Sequence, residues 1–410
     1  MEFSCLQEKT KFPSMRLLAI TFASSGALSW FFVVTLRFDD LFQNMTDNQF
    51  WIFLGLVLFY GFGALSAFFG VYIQKKITRK TLLLWSTTLG VLSTGALAML
   101  QGEVIALIFG ALLGTSFGIG FPSSAALFAD RTKVENRGKT AGILVLMTFV
   151  LISLEMIFAE VFNLGLTETI VLIMLLRSTS YFALIKDQCD TEKKKKELSY
   201  TAIFAEKNFA LYLIPWVLFN LVSGLSNFIY PGLPESDYEI ALAIGNLLQF
   251  LSLVAVSLVS GYMSDRFGRK PPIIIGVVAF GVSFAIFGIA TNVLSLIIQL
   301  TVHGIAWGFC MVAYFAIPGD LAANHSQEKF YAISTVLPFI SYMATGTLPA
   351  ILDVSIEANI LSPILSVLLF LSVVPVLFAR DTLPEKNIRE RKIKEHIEEL
   401  HKVVAESEND

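Results

Sequence analysis

The chain reads as long apolar runs broken by short polar stretches, and each run approaches the roughly 20 residues needed to cross about 30 Å of hydrocarbon. Six such runs cover residues 15–36, 51–73, 82–100, 104–129, 140–162 and 169–185. After a charged interruption, six more cover 209–229, 240–263, 271–290, 294–317, 331–352 and 359–378. The pattern predicts an all-α membrane protein of about twelve transmembrane helices. The first run lacks a small-residue cleavage pattern after a short core, so it is expected to be a retained helix rather than a cleaved signal peptide.

Basic residues test the count independently, because Lys and Arg accumulate on the cytoplasmic side. With the N-terminus placed inside, every Lys and Arg except Arg37 and Arg177 falls in a cytoplasmic segment. Both termini are therefore expected in the cytoplasm. The same reading divides the chain into a six-helix bundle at 1–185, a charged linker at 186–208, a second six-helix bundle at 209–380 and a tail at 381–410. The linker, with its Lys193 to Lys196 run, reads as a solvated tether. In the tail, Ile393, Ile397, Leu400 and Val404 recur at helical spacing, so an amphipathic helix and a weakly ordered segment both fit.

Composition excludes several classes. With 55% hydrophobic and 15% charged residues, the chain carries more apolar surface than a soluble fold could hide, which makes the lipid bilayer its expected partner. A net charge of -3 offers nothing to nucleic acid. Cys5, Cys189 and Cys310 show neither disulfide nor metal-ligand spacing. No phosphate-binding glycine loop occurs, so ATP-driven transport is not expected; enzyme chemistry is not expected either, and no cofactor is implied. Asn44-Met45-Thr46 forms a glycosylation sequon in the first outer loop, with value only in a eukaryotic secretory route.

The two halves repeat. A shift of 190 residues lays Gly114, Gly118, Ala126 and Asp130 on Gly304, Gly308, Ala316 and Asp320. A shift of 191 lays Gly70 on Gly261 and Lys75 on Arg266. Parallel repeats of this kind are typical of transporters that place a site between two halves and rock them around it.

Between the eighth and ninth runs stands Gly261-Tyr262-Met263-Ser264-Asp265-Arg266-Phe267-Gly268-Arg269-Lys270. It resembles the G-x-x-x-D-R-x-G-R-K signature of the major facilitator superfamily. A glycine at 261 permits close helix approach, one at 268 turns a short loop, and the charges of Asp265, Arg266 and Arg269 can latch neighbouring helix ends. The first-half copy keeps Gly70, Lys75 and Arg79 but has Gln74 where the family has an acid. Asp130 followed by Arg137-Gly138 is similar to the family's acid-then-Arg-Gly pattern, and Asp320 is a looser echo. The resemblance implies two pseudo-symmetric six-helix bundles, alternating access, and a conformational latch built from these residues. The fifth run lacks the G-P-x-x-G-G type pattern of drug/proton antiporters, and the P-E-S-P-R pattern of sugar porters is missing after the sixth, so no subfamily follows.

In such a fold the first, fourth, seventh and tenth helices line a central cavity. Gln299, His303, Trp307 and Tyr314 follow nearly one face of the tenth, with Gly304 and Gly308 turned elsewhere. The seventh offers Asn220, Ser223 and Asn227, the first offers Thr21, Ser25 and Ser29, and the eighth offers Asn246 and Gln249. Ser25, Ser29, Asn220, Asn227, Gln249, Gln299, His303 and Trp307 are the substrate-binding candidates, and interhelical hydrogen bonding is the alternative use of the same groups. Glu155 and Arg177, at similar depth, are expected to form a neutralising pair, or Glu155 to carry a coupled proton.

The function expected is secondary active transport of a small polar or weakly charged organic solute, proton-coupled or not, by a functional monomer in the cell membrane. An uncoupled facilitator and a non-transporting receptor of the same fold are the alternatives.

Overall fold

A computed structural model describes residues 15–74, 76–184, 198–230, 232–322, 326–352, 356–383 and 393. The first half contains α1 (Met15–Leu36), the short α2 (Phe38–Gln43), α3 (Gln49–Ile73), α4 (Arg79–Ala96), α5 (Glu103–Arg131), α6 (Val134–Val161) and α7 (Leu166–Ser178). The second contains the short α8 (Tyr200–Phe204), then α9 (Lys207–Leu225), α10 (Glu235–Phe267), α11 (Lys270–Ile289), α12 (Val293–Leu321), α13 (Gln327–Leu352) and α14 (Ala358–Phe378). Two-residue strands, β1 (Ile229–Tyr230) and β2 (Ile356–Glu357), pair in parallel.

Among the described residues, nine helices are long and apolar enough to cross a membrane. The expected sixth run does not continue as one α-helix. The chain tightens into a 3-10 segment at Thr179–Leu184 after α7, and residue 185 lies outside the described residues. α4 is 18 residues long and rich in Ser and Thr, whose hydroxyls turn back to the helix's own carbonyls, as in Ser93 to Leu89 O and Thr94 to Gly90 O. The described end of the linker is not a free tether. Ser199 caps α8 through the Ala202 N–H, and Ile203 packs among Phe209, Leu213, Phe330 and Ile333 of the second bundle. The tail helix expected around residues 393–404 lies outside the described residues apart from Ile393.

The repeat is visible in packing as well as in sequence. A Cβ on Gly114 or Gly118 would meet the carbonyl oxygens of Phe59 and Gly63 on α3 at 2.0 and 2.1 Å, so only glycine permits the α3–α5 approach. On α12, Gly304 and Gly308 face the carbonyls of Gln249 and Leu253 on α10 in the same way. Those partners are themselves 190 residues apart. The 191-residue register for Gly70 and Gly261 is corrected. Gly70 faces Ile119 on α5, whereas the position 190 further on is Ser260, whose hydroxyl donates to Phe309 O on α12. One residue rotates a helix by about 100°, and Gly261 accordingly faces α6 instead.

The bundles meet along α6 against α10 and α3 against α13. An aromatic seam runs across the join, with Phe31 of α1 stacked on Phe117 of α5 at 4.2 Å and on Phe339 of α13 at 5.1 Å. Phe121 and Phe128 of α5 meet Phe315 of α12 edge-on. These contacts are apolar and non-directional, so neighbouring packings can interchange at small cost.

Candidate functional site

Four loops, those joining α3 to α4, α5 to α6, α10 to α11 and α12 to α13, gather at one end of the molecule, here named the loop end. There the signature residues form a network that crosses between the bundles. Asp265, buried near the end of α10, accepts from the backbone N–H groups of Gly138 and Lys139 in the first turns of α6, each at 2.8 Å. A carboxylate suits this position because its two oxygens accept both amides in charge-assisted bonds. Gly261 permits the approach, since a Cβ there would lie 2.7 Å from Gly138 O.

Arg269, fully buried, ties Asp265 and Asp320 together through Nη1 and Nε, both at 2.8 Å, and donates from Nη2 to Val134 O at 2.7 Å. Burial alone would lower its pKa, but the paired carboxylates of Asp320 and Asp265 hold it above the ordinary arginine value. Arg137 of α6 reaches Asp320 of α12, and its other nitrogens bond Thr132 Oγ1 and Ala129 O. Gly268 has φ +101° and turns the loop so that Arg269 N–H points at Asp381 Oδ1, 3.1 Å away. Arg266 is exposed and donates to the Tyr262 hydroxyl, so it stands outside the buried network.

The first-half copy replaces the acid rather than losing it. Gln74 Nε2 donates to Glu328 Oε1 at 2.9 Å, and Arg79 pairs with the same carboxylate and with Asp130 at 2.8 Å. Glu328 belongs to the first turn of α13, so at both bundle-to-bundle seams the second bundle contributes a buried acid, Asp265 between α6 and α10 and Glu328 between α3 and α13. Arg79 and Asp130 stand 190 residues from Arg269 and Asp320, and both pairs are bonded. Lys75 lies outside the described residues.

The Glu155–Arg177 pair is corrected. Glu155 forms an ion pair with Arg37, just past the end of α1, Nε to Oε1 3.0 Å, while Arg177 points into the first bundle. Equal depth does not fix the side of a helix, and α6 packs chiefly on α1 and α10 rather than on α7.

The expected substrate residues separate into two sets. Gln249, His303 and Trp307 converge, joined by Ser223. Trp307 Nε1–H donates to His303 Nε2 at 2.7 Å, which makes Nε2 an acceptor and leaves the imidazole proton on Nδ1. The Gln249 amide lies 3.5 Å from Nδ1 and Ser223 Oγ lies 3.3 Å from Nε2. Phe280 stacks parallel on the ring at 4.5 Å, Trp216 meets Trp307 edge-on, and Tyr314 stacks on Trp216 at 4.6 Å. Gln299, also buried, is one turn earlier on α12.

The other candidates are spent on packing. Ser25 donates to Phe22 O, Ser29 donates to Ser25 O and across to Thr148 O of α6, and Asn220 donates to Trp216 O. Asn227 is exposed in the 3-10 segment after α9 and is not brought to the cluster. Sequence reasoning missed Arg37, Glu328 and Asp381. Only the carboxylates' position at segment starts and ends hinted at the last two.

Comparison with known proteins adds the following. The sequence pattern described as Major Facilitator Superfamily matches residues 198–406. Multidrug resistance protein 1 of Bacillus subtilis (strain 168) is 31% identical over 129 residues, 30% of this chain and 33% of that protein. The Major facilitator superfamily multidrug transporter mfsB of Aspergillus fumigatus is 27% identical over 108 residues, 26% of this chain and 17% of that protein. The chain thus aligns with a third or less of each curated relative's length. Among solved structures, the human organic anion transporter MFSD10 (TETRAN) superposes with a TM-score of 0.74 at 12% identity, covering 89% of this chain and 100% of that one. The proton:xylose symporter XylE bound to 6-bromo-6-deoxy-D-glucose superposes at 0.67 and 15% identity, covering 90% and 97%. At these identities the likeness is one of fold.

Proposed function

The chain belongs to the Major Facilitator Superfamily, and from that premise we propose that it is a secondary transporter that moves a small organic solute by rocking its two bundles. It is a multi-pass integral membrane protein with that superfamily's fold. The observation that carries the reading is the loop-end network, in which Asp265 of one bundle accepts from the α6 backbone of the other and Arg137 reaches back to Asp320. A permanent interface would be expected to bury apolar surface there. A charged, hydrogen-bonded latch can instead exchange protein partners for water as it opens.

In this reading the loop end is cytoplasmic, the chain has twelve spans, and the state described above is the one closed on that side. The His303–Trp307–Gln249–Ser223 group supplies hydrogen bonds beside flat aromatic faces, which suits a neutral or weakly charged polar solute. The relatives are a multidrug resistance protein, an organic anion transporter and a xylose symporter, and drugs, organic anions and sugars form the first substrate panel. Glu155, paired with Arg37, is the candidate proton carrier, and the cell membrane is the proposed location.

Counterflow in proteoliposomes tests the proposal. Saturable exchange of at least one panel compound is expected. Binding without exchange would favour a receptor of the same fold.

A further inference from the structure

Arg177 is the one basic residue that the sequence places deep within an apolar run, and its surroundings are unlike those of the latch arginines. α7 stops at Ser178 and the chain tightens, which turns the guanidinium inward between α4 and α5. Two glycines make the space. A Cβ at Gly90 would lie 2.5 Å from Arg177 Nε, and one at Gly120 would lie 2.4 Å from Ser86 Oγ. Arg177 is only 2% exposed as a result.

Its bonds do not match its charge. Nη2 donates to Ser116 Oγ at 3.1 Å, Ser86 O at 3.2 Å and Ser116 O at 3.3 Å, and Nη1 donates to Ser180 Oγ at 3.4 Å. Bonds from a guanidinium to an anion run about 2.7–2.9 Å. The Trp30 ring lies 4.9 Å from Cζ and offers its negative face. Nε is buried with no acceptor, and among the described residues no carboxylate lies within ion-pair distance of Arg177. Burying a cation without a counter-charge is strongly unfavourable, and two hydroxyl and two carbonyl dipoles at these distances offset it only in part.

Beside the guanidinium is a cavity of about 10 Å³ whose wall includes Arg177, Thr87, Ser124, Ser86 and Ser180. That volume holds one particle of about water's size and no organic solute. The Ser86 hydroxyl is committed to Leu83 O and that of Ser180 to Ala23 O. Ser124 shares a hydrogen bond with Ser24, in which either hydroxyl can be the donor. Thr87 and Ser124 are therefore the wall hydroxyls able to turn a proton toward the cavity.

We propose that Arg177, Thr87 and Ser124 form a binding site for a small inorganic anion of the chloride type, within the first bundle and separate from the His303 group. The anion supplies the missing counter-charge, and the two hydroxyls complete its shell. The site is independent of whether the chain transports anything.

The test uses the full chain purified in detergent, with its melting midpoint followed in sodium chloride against sodium gluconate at equal ionic strength, gluconate being too large to enter. A saturable rise of about 2–4 °C in chloride is expected. Thr87→Val and Ser124→Ala should each raise the half-saturating chloride concentration by about threefold or more, and Arg177→Gln should abolish the response. Should Arg177→Gln fail to fold, the two hydroxyl variants decide the matter alone. Equal midpoints in the two salts would overturn the proposal and leave water in the cavity. A chloride response indifferent to these substitutions would also overturn it, by placing the anion elsewhere.

Discussion

The Asp265 carboxylate of α10 accepts the backbone N–H of Gly138 at 2.8 Å, so a side chain of one bundle is bonded to the backbone of a helix in the other. The bond spans 127 residues of sequence and exists only while the loop end is closed. Asp265→Asn keeps the shape but removes the charge that the α6 amides and Arg269 both favour. Losing such charge-assisted bonds costs about 1.5–3 kcal/mol. Since 1.4 kcal/mol is about tenfold in an equilibrium, the closed loop end should lose population by tenfold or more. Accessibility of a cysteine placed at Ser264, a buried position beside Asp265 on α10, should rise accordingly in thiol-labelling rates.

Gly261 and Gly138 set the spacing that this bond requires. A Cβ at 138 would meet Asp265 Oδ1 at 2.6 Å and Gly261 O at 2.8 Å. Gly138→Ala should therefore destabilise the closed state by about 1–3 kcal/mol through overpacking. The melting midpoint should fall by several degrees, and a fall no larger than that of Ala at the open Gly61 position would count against this account.

Glu155 and Arg37 allow a double-mutant cycle. Glu155→Gln is expected to abolish the pH dependence of uptake while substrate exchange continues, because exchange needs no net proton movement. Uptake measured with and without a proton gradient checks this, and unchanged pH dependence would remove Glu155 from coupling. Arg37→Gln alone should impair stability more than the double variant, since it strands a buried carboxylate.

Around His303, Trp307→Phe removes the indole donor and frees Nε2. Ligand-induced stabilisation should fall about tenfold in apparent affinity for His303→Ala and Trp307→Ala alike, read as a shifted half-saturating concentration in a thermal assay. Indifference to both changes would remove α12 from the binding site.

The apolar runs and the 190-residue repeat were legible because spans of hydrocarbon and glycine-mediated contacts are written in local composition. The latch was legible because its acid, bases and glycines are contiguous at 261–270. What sequence periodicity did not supply was azimuth. Equal depth suggested that Glu155 meets Arg177, yet α6 turns that face toward α1 and Arg37. Ser25 and Ser29 had the spacing of a cavity face, but a hydroxyl bonds whichever carbonyl lies nearest, and Thr148 O of α6 lies 3.0 Å from Ser29. Glu328 and Asp381 act through contacts with chain 249 and 112 residues away, beyond the reach of local spacing.

Transport by alternating access requires the two bundles to rock, closing one end as the other opens. Spin-label pairs at Asn136 with Arg266 and at Val161 with Ile240 report opposite ends of the same two helices, α6 and α10, and all four positions are exposed. Pulsed dipolar distances should shift in opposite senses at the two ends when Asp265→Asn is introduced, lengthening for 136–266 and shortening for 161–240. Distances that stay fixed at both ends, or lengthen together, would contradict the account.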